Sequence, residues 1–390
     1  MVYRMTEWIE CTLDKLGEIV GGATPSTKCE DYYGGSIPWI TPKDLSSFKG
    51  RYITSGERNI TEKGLASCSA QMMPKDAVLF TSRAPIGYVA IASQSVCTNQ
   101  GFKSIVVNEK ADPLFVYYLL KYNKDAIEAM GSGTTFKEVS GKTMRAVKVR
   151  IPLDVSYQKR IAAVLDSLDT KIENNERIND NLQQQAAALF SSLYDRSNTE
   201  VRFTDLIQIL GGGTPKTGEN TYWNGNIAFF TPKDVGTPYT LITEKTISKE
   251  GLSHCNSRLY PVNTVFVTAR GTVGKVGMSG VPMAMNQSCY ALVGKETHQL
   301  LVYFYTLKAV DRLKHKASGA VFDAITTRDF ESEQIMKLSD DDATAFLRVA
   351  EPMFQEVLNN NIEILRLSTL RDSLLPKLMS GEIDVSAVQL

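Results

Sequence analysis

The tetrapeptide Thr-Pro-Lys-Asp occurs twice in this 390-residue chain, at residues 41–44 and again at 231–234, a shift of 190. The match spreads well beyond four residues. Residues 19–27 read IVGGATPST and residues 209–217 read ILGGGTPKT, identical at six of nine positions. Tyr32 and Gly35 match Tyr222 and Gly225 at the same shift. After a three-residue deletion the shift becomes 187, and Gly64-Leu65, Cys68, Pro74, Thr81, Arg83, Gly87 and Asn99-Gln100 find partners at Gly251-Leu252, Cys255, Pro261, Thr268, Arg270, Gly274 and Asn286-Gln287. Ser132, Gly133 and Phe136 match Ser318, Gly319 and Phe322 at a shift of 186. Two copies of one domain are therefore the dominant constraint on the fold.

Each copy opens with short β-rich runs, such as VLFTSR from Val78 and TVFVTAR from Thr264, punctuated by Gly and Pro. A helix follows. In the first copy Asp112 is placed to cap it, Pro113 suits its first position and Gly131 its end. The partner helix spans about residues 299–316, and a last strand near Ile151-Pro152 closes the first copy. Each copy reads as a mixed α+β domain of about 140 residues.

From Ser156, the expected N-cap, the pattern changes. Ile161, Leu165, Leu168, Ile172, Asn175, Asn179, Leu182, Ala186, Leu189 and Leu193 alternate spacings of four and three. This is a coiled-coil seam on a helix roughly 55 Å long. The second copy ends alike at a shift of 185, with Phe346, Ala350, Met353, Val357, Asn360, Ile364, Leu367, Arg371, Leu374 and Leu378. Pro352 is expected to delay or kink that helix near its start.

The order is thus a domain over residues 1–155, a spacer helix over 156–197, a second domain over 198–338, and a helix with its tail over 339–390. A domain of this size has a radius of gyration of roughly 15 Å and does not span such a helix. The two helices should therefore run antiparallel, with a domain at each end and a pseudo-twofold axis between. Asn175 and Asn360 are expected to face each other near that axis and fix register; the alternative is two solvated Asn at a bend. Phe354, Leu358, Ile362 and Leu365 form a second stripe, read either as a wide core face or as a docking surface for a partner's helices.

Bulk composition narrows the class. The chain carries 43 basic and 43 acidic residues, so any grip on a polyanion must come from local patches. Six cysteines without a C-x-x-C pair, and three histidines, argue against a zinc site or a disulfide framework. The start MVYRMTEWIE has no apolar signal core, and residues 114–120 are far too short an apolar run for a membrane span. A reduced, cytoplasmic protein is expected. Catalytic patterns are missing. There is no Pro-Pro dipeptide, as an adenine methyltransferase motif would need, and no H-E-x-x-H. Gly141-Lys142-Thr143 ends like a P-loop, but Phe136 stands where its first Gly belongs.

The two Gly-Gly-x-Thr-Pro…Thr-Pro-Lys-Asp blocks, the paired Asn-Gln, the helix QKRIAAVLDSLDTKIENNERINDNLQQQAAALF and the ending LRDSLLPKLMSGEIDV, taken in this order, resemble the specificity subunits of type I restriction–modification systems. The resemblance covers nearly the whole chain. It implies two target recognition domains, each reading half of a split double-stranded DNA sequence, on helices that act as a spacer and hold two modification subunits. It also implies that the chain binds no cofactor itself. S-adenosylmethionine would sit on the modification subunits, which methylate adenine, and ATP and Mg on motor–nuclease restriction subunits. A scaffold with two protein- or sugar-binding heads on a coiled-coil rod is the competing class, and only the neutral charge supports it.

If the heads read different half-sites, what they share cannot carry the difference. Shared residues should be scaffold or phosphate contacts, and base contacts should lie where the copies diverge. Lys43 and Lys233 have no evident turn duty and are candidate phosphate contacts, with Thr, Pro and Asp of the same blocks read as a fixed turn. Arg83 and Arg270 follow apolar strands and should sit at hairpin tips, reaching DNA or forming surface ion pairs. Lys275 replaces Tyr88 on the second tip and is a candidate for specificity. Asn99-Gln100 and Asn286-Gln287 are read as turn or strand-end residues. In the loops 132–137 and 318–323, Lys137 faces Asp323; with Lys142 and Arg145 it gives the first head a basic loop, read equally as solvated. Residues 45–59 and 235–246 are the least similar stretch. Lys49, Arg51 and Arg58 there are the expected base-reading candidates, beside Tyr52 and opposite Tyr239 and Lys245.

Overall fold

The computed structural model describes residues 7–133, 137–236, 238–316 and 324–388. The chain divides into two compact units, Met1–Glu173 with Arg366–Leu390, and Asn174–Leu365. In the first unit a five-stranded sheet has the order Gly17–Gly21, Lys103–Val107, Val78–Ser82, Ile86–Ala92, Tyr52–Ile53, and a three-stranded sheet has the order Asn59–Ile60, Tyr33–Ile40, Cys97–Thr98. Trp8–Thr12 pairs antiparallel with Lys148–Pro152. The second unit repeats this topology. Its larger sheet runs Ile207–Gly211, Cys289–Gly294, Val265–Thr268, Val276–Ser279, Tyr239–Thr240, its smaller one Lys245–Ile247, Trp223–Phe230, Met283–Met285, and Thr199–Arg202 pairs with Gln334–Lys337.

The apolar runs that mark each copy are central strands, every residue of Val78–Ser82 and Val265–Thr268 being buried. Alternation divides their side chains between two cores. Val78 and Phe80 join the core that holds helix Pro113–Tyr122, while Leu79 packs on the opposite face with Ile40 and Phe102. Val265 and Val267 likewise meet helix Gln299–Lys316, and Phe266 turns to Phe230 and Tyr260. Asp112 caps the first of these helices, accepting from Phe115 N at 2.9 Å. That helix stops at Asn123 and resumes as Lys124–Ala129, short of Gly131. In the second unit it is unbroken.

The two seams form helices Val155–Tyr194 and Asp340–Ser380, of 40 and 41 residues. Every seam position is buried or half-buried. The cap of the central helix is Asp154 rather than Ser156: Asp154 Oδ1 accepts from Ser156 N at 2.8 Å. The C-terminal helix begins at Asp340, ahead of Pro352, and runs through it. A proline in a helix interior removes one backbone bond, which the rest of a helix this long and well packed tolerates. Ser339 Oγ accepts from Asp342 N at 3.1 Å at its start, where three consecutive Asp complement the helix dipole.

Within each unit the helix segments run antiparallel. In the second, Asn179 Nδ2 donates to Asn361 Oδ1 and Asn360 Nδ2 donates to Asn179 Oδ1, both at 2.9 Å. Asn360 therefore meets Asn179, not Asn175. Asn175 Nδ2 instead donates to Glu363 Oε2 at 2.6 Å. The stripe beside the seam is also settled in part: Phe354 and Leu358 are buried in the core of the second unit, Ile362 packs partly buried against it, and Leu365 is half-buried. A free docking surface at Phe354 and Leu358 is thereby overturned, because both rings and branches are already covered by their own head. In the first unit the end of the chain completes the core. Leu378, Met379 and Val385 are buried there, and Tyr157 Oη donates to Asp384 Oδ1 at 2.9 Å and accepts from Val385 N at 3.2 Å.

Among the described residues no helix is long and apolar enough to cross a membrane.

Candidate nucleic-acid interface

The repeated tetrapeptide folds into the same corner twice. Thr41 and Thr231 cap one turn, with Pro at its first position, and Asp44 and Asp234 close a capping box. Asp44 Oδ2 accepts from Thr41 N and Oγ1 at 2.7 and 2.6 Å, and Oδ1 accepts from Glu57 N at 2.7 Å. Asp234 does the same with Thr231 at 2.8 and 2.6 Å and with Glu244 N at 2.7 Å. The aspartate thus pins a distant loop to the corner. The lysines beside them are exposed and ion-paired to the pinned loop, Lys43 to Glu57 at 2.7 Å and Lys233 to Glu244 at 3.6 Å. The Glu57 carboxylate raises the Lys43 pKa through its hydrogen bond and charge.

The Asn-Gln pairs are turn residues in both copies. Asn99 Oδ1 accepts from Gly101 N at 2.8 Å, and Asn286 Oδ1 from Ser288 N at 3.0 Å. Thr24 and Thr214 donate to Gln100 and Gln287, tying the Gly-Gly-x-Thr-Pro block to the same place.

In the second unit these elements form an open cleft of about 560 Å³, lined by Lys233, Lys245, Arg270 and Lys275, with Glu244 as the one carboxylate among the described residues and Asn286 and Ser288 among the polar groups. Lys245 Nζ lies 5.6 Å from the centre of the Trp223 ring. Arg270 and Lys275 flank a tight tip after Val265–Thr268. Gly274, with φ of 73°, lets the tip fold beneath the following helix, where an added Cβ would lie 2.6 Å from Lys314 Cε. Arg270 and Lys275 are exposed, and neither side chain makes a hydrogen bond or ion pair with another described residue. Among the described residues, four cations against one carboxylate give this cleft a positive field that the chain's neutral total conceals.

The first head places its cations differently. Arg83 bridges Glu138 across an antiparallel backbone pairing, with its guanidinium 3.5 Å from the carboxylate. Lys103 approaches the same carboxylate at 3.8 Å, and burial lowers its pKa. Lys137, Lys142 and Arg145 are exposed. Phe136 and the loop 317–323, with Asp323, lie outside the described residues.

The divergent stretch holds a correction. Arg51 is not at the surface. It is 6% exposed and points into the central helix, donating to Glu173 Oε1 and Oε2 at 3.2 and 3.1 Å, to Thr170 Oγ1 at 2.9 Å and to Asp166 O at 3.0 Å, and pairing with the Asp166 carboxylate. Its donors are spent on the fold, so it is a junction residue and not a base reader. Arg58 is exposed and stacks 4.2 Å from the Tyr33 ring centre, as Lys245 does on Trp223. Lys49 is exposed. The glutamate partners of Lys43 and Lys233, and these stacked cations, match at the 187-residue shift, so the least similar stretch still preserves two contacts in both copies.

A family model described as the type I restriction modification DNA specificity domain matches residues 5–184 and again 196–337. The chain is 30% identical to the type I restriction enzyme MjaIX specificity subunit of Methanocaldococcus jannaschii, across 97% of this chain and 94% of that one. It is 24% identical to the HindI specificity subunit of Haemophilus influenzae, across 72% of this chain and 80% of that one. Among solved structures, the S subunit of a type I restriction–modification system from M. genitalium aligns with a TM-score of 0.65 over 97% of both chains at 16% identity, a likeness of fold.

Proposed function

The chain belongs to the type I restriction–modification DNA specificity family, and from that premise we propose that it is the non-catalytic, sequence-reading subunit of a type I complex whose two heads each read half of a bipartite, asymmetric double-stranded DNA target. The observation that carries this reading is the pair of topologically identical heads that place a lysine at the same corner with the same glutamate partner and an arginine at the same tip amid different neighbours. Identical topology supplies one way of approaching DNA, and different neighbours supply two ways of reading it.

In this reading the shared cations Lys43, Lys233, Arg83 and Arg270 engage phosphates, the first three by displacing their glutamate partners Glu57, Glu244 and Glu138. Such contacts position the protein and make binding fall with salt. Lys49 on one head and Lys275 on the other have no cation at the matching position of the other copy, and with the matched pair Arg58 and Lys245, which differ as arginine against lysine, they are the side chains best placed for base edges. The long helices set the interval between half-sites and dock two modification subunits, which carry S-adenosylmethionine and the adenine methylation. Restriction subunits using ATP and Mg complete the complex.

The test is a head exchange. Replacing the first head with that of another specificity subunit, in a cell carrying active modification subunits, should change one half of the methylated motif found by genome-wide methylation sequencing. A change in both halves contradicts the two-reader assignment. No sequence-selective methylation with the native chain would favour a scaffold without DNA readout.

A further inference from the structure

The two tip arginines share a backbone setting and differ in their electrostatic one. Arg83 bridges Glu138 and Arg270 bridges Ala324, each as an isolated antiparallel pair. The acid that faces the first arginine is thus a methyl group in the second. Glu138 also draws Lys103, at 3.8 Å; the residue matching Lys103 at the 187-residue shift is Tyr290. Across the second tip Lys275 replaces Tyr88, adding a cation where the first head has a phenol. Arg270 and Lys275 line one cleft with Lys233 and Lys245.

An arginine already facing a carboxylate must give up that pair to take a phosphate, and part of the gain is cancelled. One without such a partner among the described residues keeps the whole contact and releases a cation condensed on the DNA phosphates. We infer that Arg270, in a field that Lys275 makes more positive, is the dominant phosphate-holding element at the tips, and that Glu138 restrains Arg83 so that the first head's tip contributes little to affinity. The contact is to phosphate and not to a base, because the arginine itself is common to both heads. The two heads would then divide the work unequally, the second holding the duplex at its tip and the first adding less there. This deepens the DNA-reading assignment above and rests on it.

The experiment measures binding of the full-length chain, assembled with its modification subunits, to a duplex carrying the methylated motif, by fluorescence anisotropy over a series of salt concentrations. Arg270→Ala should weaken binding roughly tenfold and reduce the salt slope by about one. Arg83→Ala should cost less than about threefold. Ala324→Glu should reproduce most of the Arg270→Ala loss, and Glu138→Ala should strengthen binding. Equal losses for the two arginine variants, or weaker binding by Glu138→Ala, overturn the inference. A loss for Arg270→Ala at unchanged salt slope, with relaxed preference at one base pair, makes Arg270 a base reader and overturns the phosphate assignment. If the unaltered complex does not prefer its motif over unrelated duplex, the DNA-reading assignment fails first. If it does prefer the motif while Arg270→Ala changes nothing, only this inference fails.

Discussion

Arg371 Nη1 donates to Asp169 Oδ1 at 2.7 Å, joining the C-terminal helix to the central helix inside the first unit. Asp169 is 5% exposed, and its second oxygen accepts from Tyr118 Oη at 2.7 Å. At the 185-residue shift the position matching Asp169 is Phe354, and the one matching Arg371 is Ala186. Both are buried in the core of the second unit, where the Phe354 ring meets Phe304 at 5.5 Å and Tyr303 at 5.7 Å. One junction between head and helices thus has two solutions, a charged network in the first unit and an aromatic cluster in the second. The aromatic solution tolerates small shifts, whereas the charged one fails when a single member is lost.

Asp169→Ala should therefore destabilise the first unit by about 3 kcal/mol, because it leaves Arg371 and Tyr118 facing a desolvated gap. The triple change Tyr118→Phe, Asp169→Phe, Arg371→Ala, which imports the second unit's chemistry, should recover a large part of that loss. Differential scanning calorimetry of the two variants checks this. A triple variant less stable than Asp169→Ala would show that the surrounding shape, and not the unpaired charge, sets the cost.

The duplication was legible because a shared ancestor fold keeps its Gly, Pro and capping residues, and these have local causes. The seams were legible for the same reason, since their period is a property of one helix. What pairs with what across the seams was not. A self-match supplies the distance in sequence between equivalent residues, so it links Asn175 to Asn360. In an antiparallel pair a step up one helix is a step down the other, and that offset is set by how the heads pack. The observed partner of Asn360 is Asn179, one helical turn away. Arg51 was misread for a related reason. A basic residue in a variable loop looks solvated, and only the fold brings Asp166 and Glu173 to it. The tip arginines were located correctly, but their unequal surroundings depend on Glu138 and Ala324, more than fifty residues along the chain.

The asparagine cluster in the second unit should behave as a register device. Asn179→Ala leaves Asn360 Nδ2 and Asn361 Oδ1 without their partner and should cost about 2 kcal/mol in thermal unfolding. The pair Asn179→Leu, Asn360→Leu should match or exceed the native stability, because the two buried amides are removed together and the half-buried Asn361 can turn to water. A double variant as unstable as the single one would mean that the cluster contributes net stability.

Stability should fall steeply in alkali. Burial pushes the Cys97 thiol, and the Cys289 thiol, up to about 12, and the Tyr303 phenol to about 12. Each raised group keeps its proton in the folded chain at a pH where the unfolded chain has lost it. The unfolded state then binds fewer protons, so the free energy of unfolding falls as pH rises above the ordinary thiol and phenol values. The loss should begin near pH 9, amount at pH 10.5 to about 2 kcal/mol for each thiol, and continue to about pH 12. Melting temperatures from pH 7 to 11 measure it, and Cys97→Ala with Cys289→Ala should flatten the curve.

The repeated corner should fail in the same way in both heads. Asp44 and Asp234 each accept three hydrogen bonds with matching geometry. Asp44→Ala and Asp234→Ala should each lower stability by about 2 kcal/mol, within error of one another. Neither should alter the sequence of the methylated motif, because both residues position loops without reaching bases. Urea titration of each variant gives the first quantity and methylation sequencing the second. A changed motif would mean that the corner itself reads DNA.

Head exchange carries a structural condition that follows from Arg51. Its partners Asp166 and Glu173 lie on the central helix, beyond the end of the domain at residue 155. A transplanted head without a basic residue at this place leaves two carboxylates facing its surface. They are about a third exposed, so water relieves part of the cost, and a loss of about 2 kcal/mol is expected. The second head has Pro238 at the matching position and meets the C-terminal helix through Tyr239 and Phe354, 6.5 Å apart between ring centres. Arg51→Met in the native chain should reproduce the loss, and adding Asp166→Asn and Glu173→Gln should reverse most of it. Chimeras should therefore fold best when the donor head brings its own stretch of helix through residue 173. If chimeras cut at 155 melt as high as those cut at 173, whatever residue stands at position 51, the arginine is not what couples head to helix.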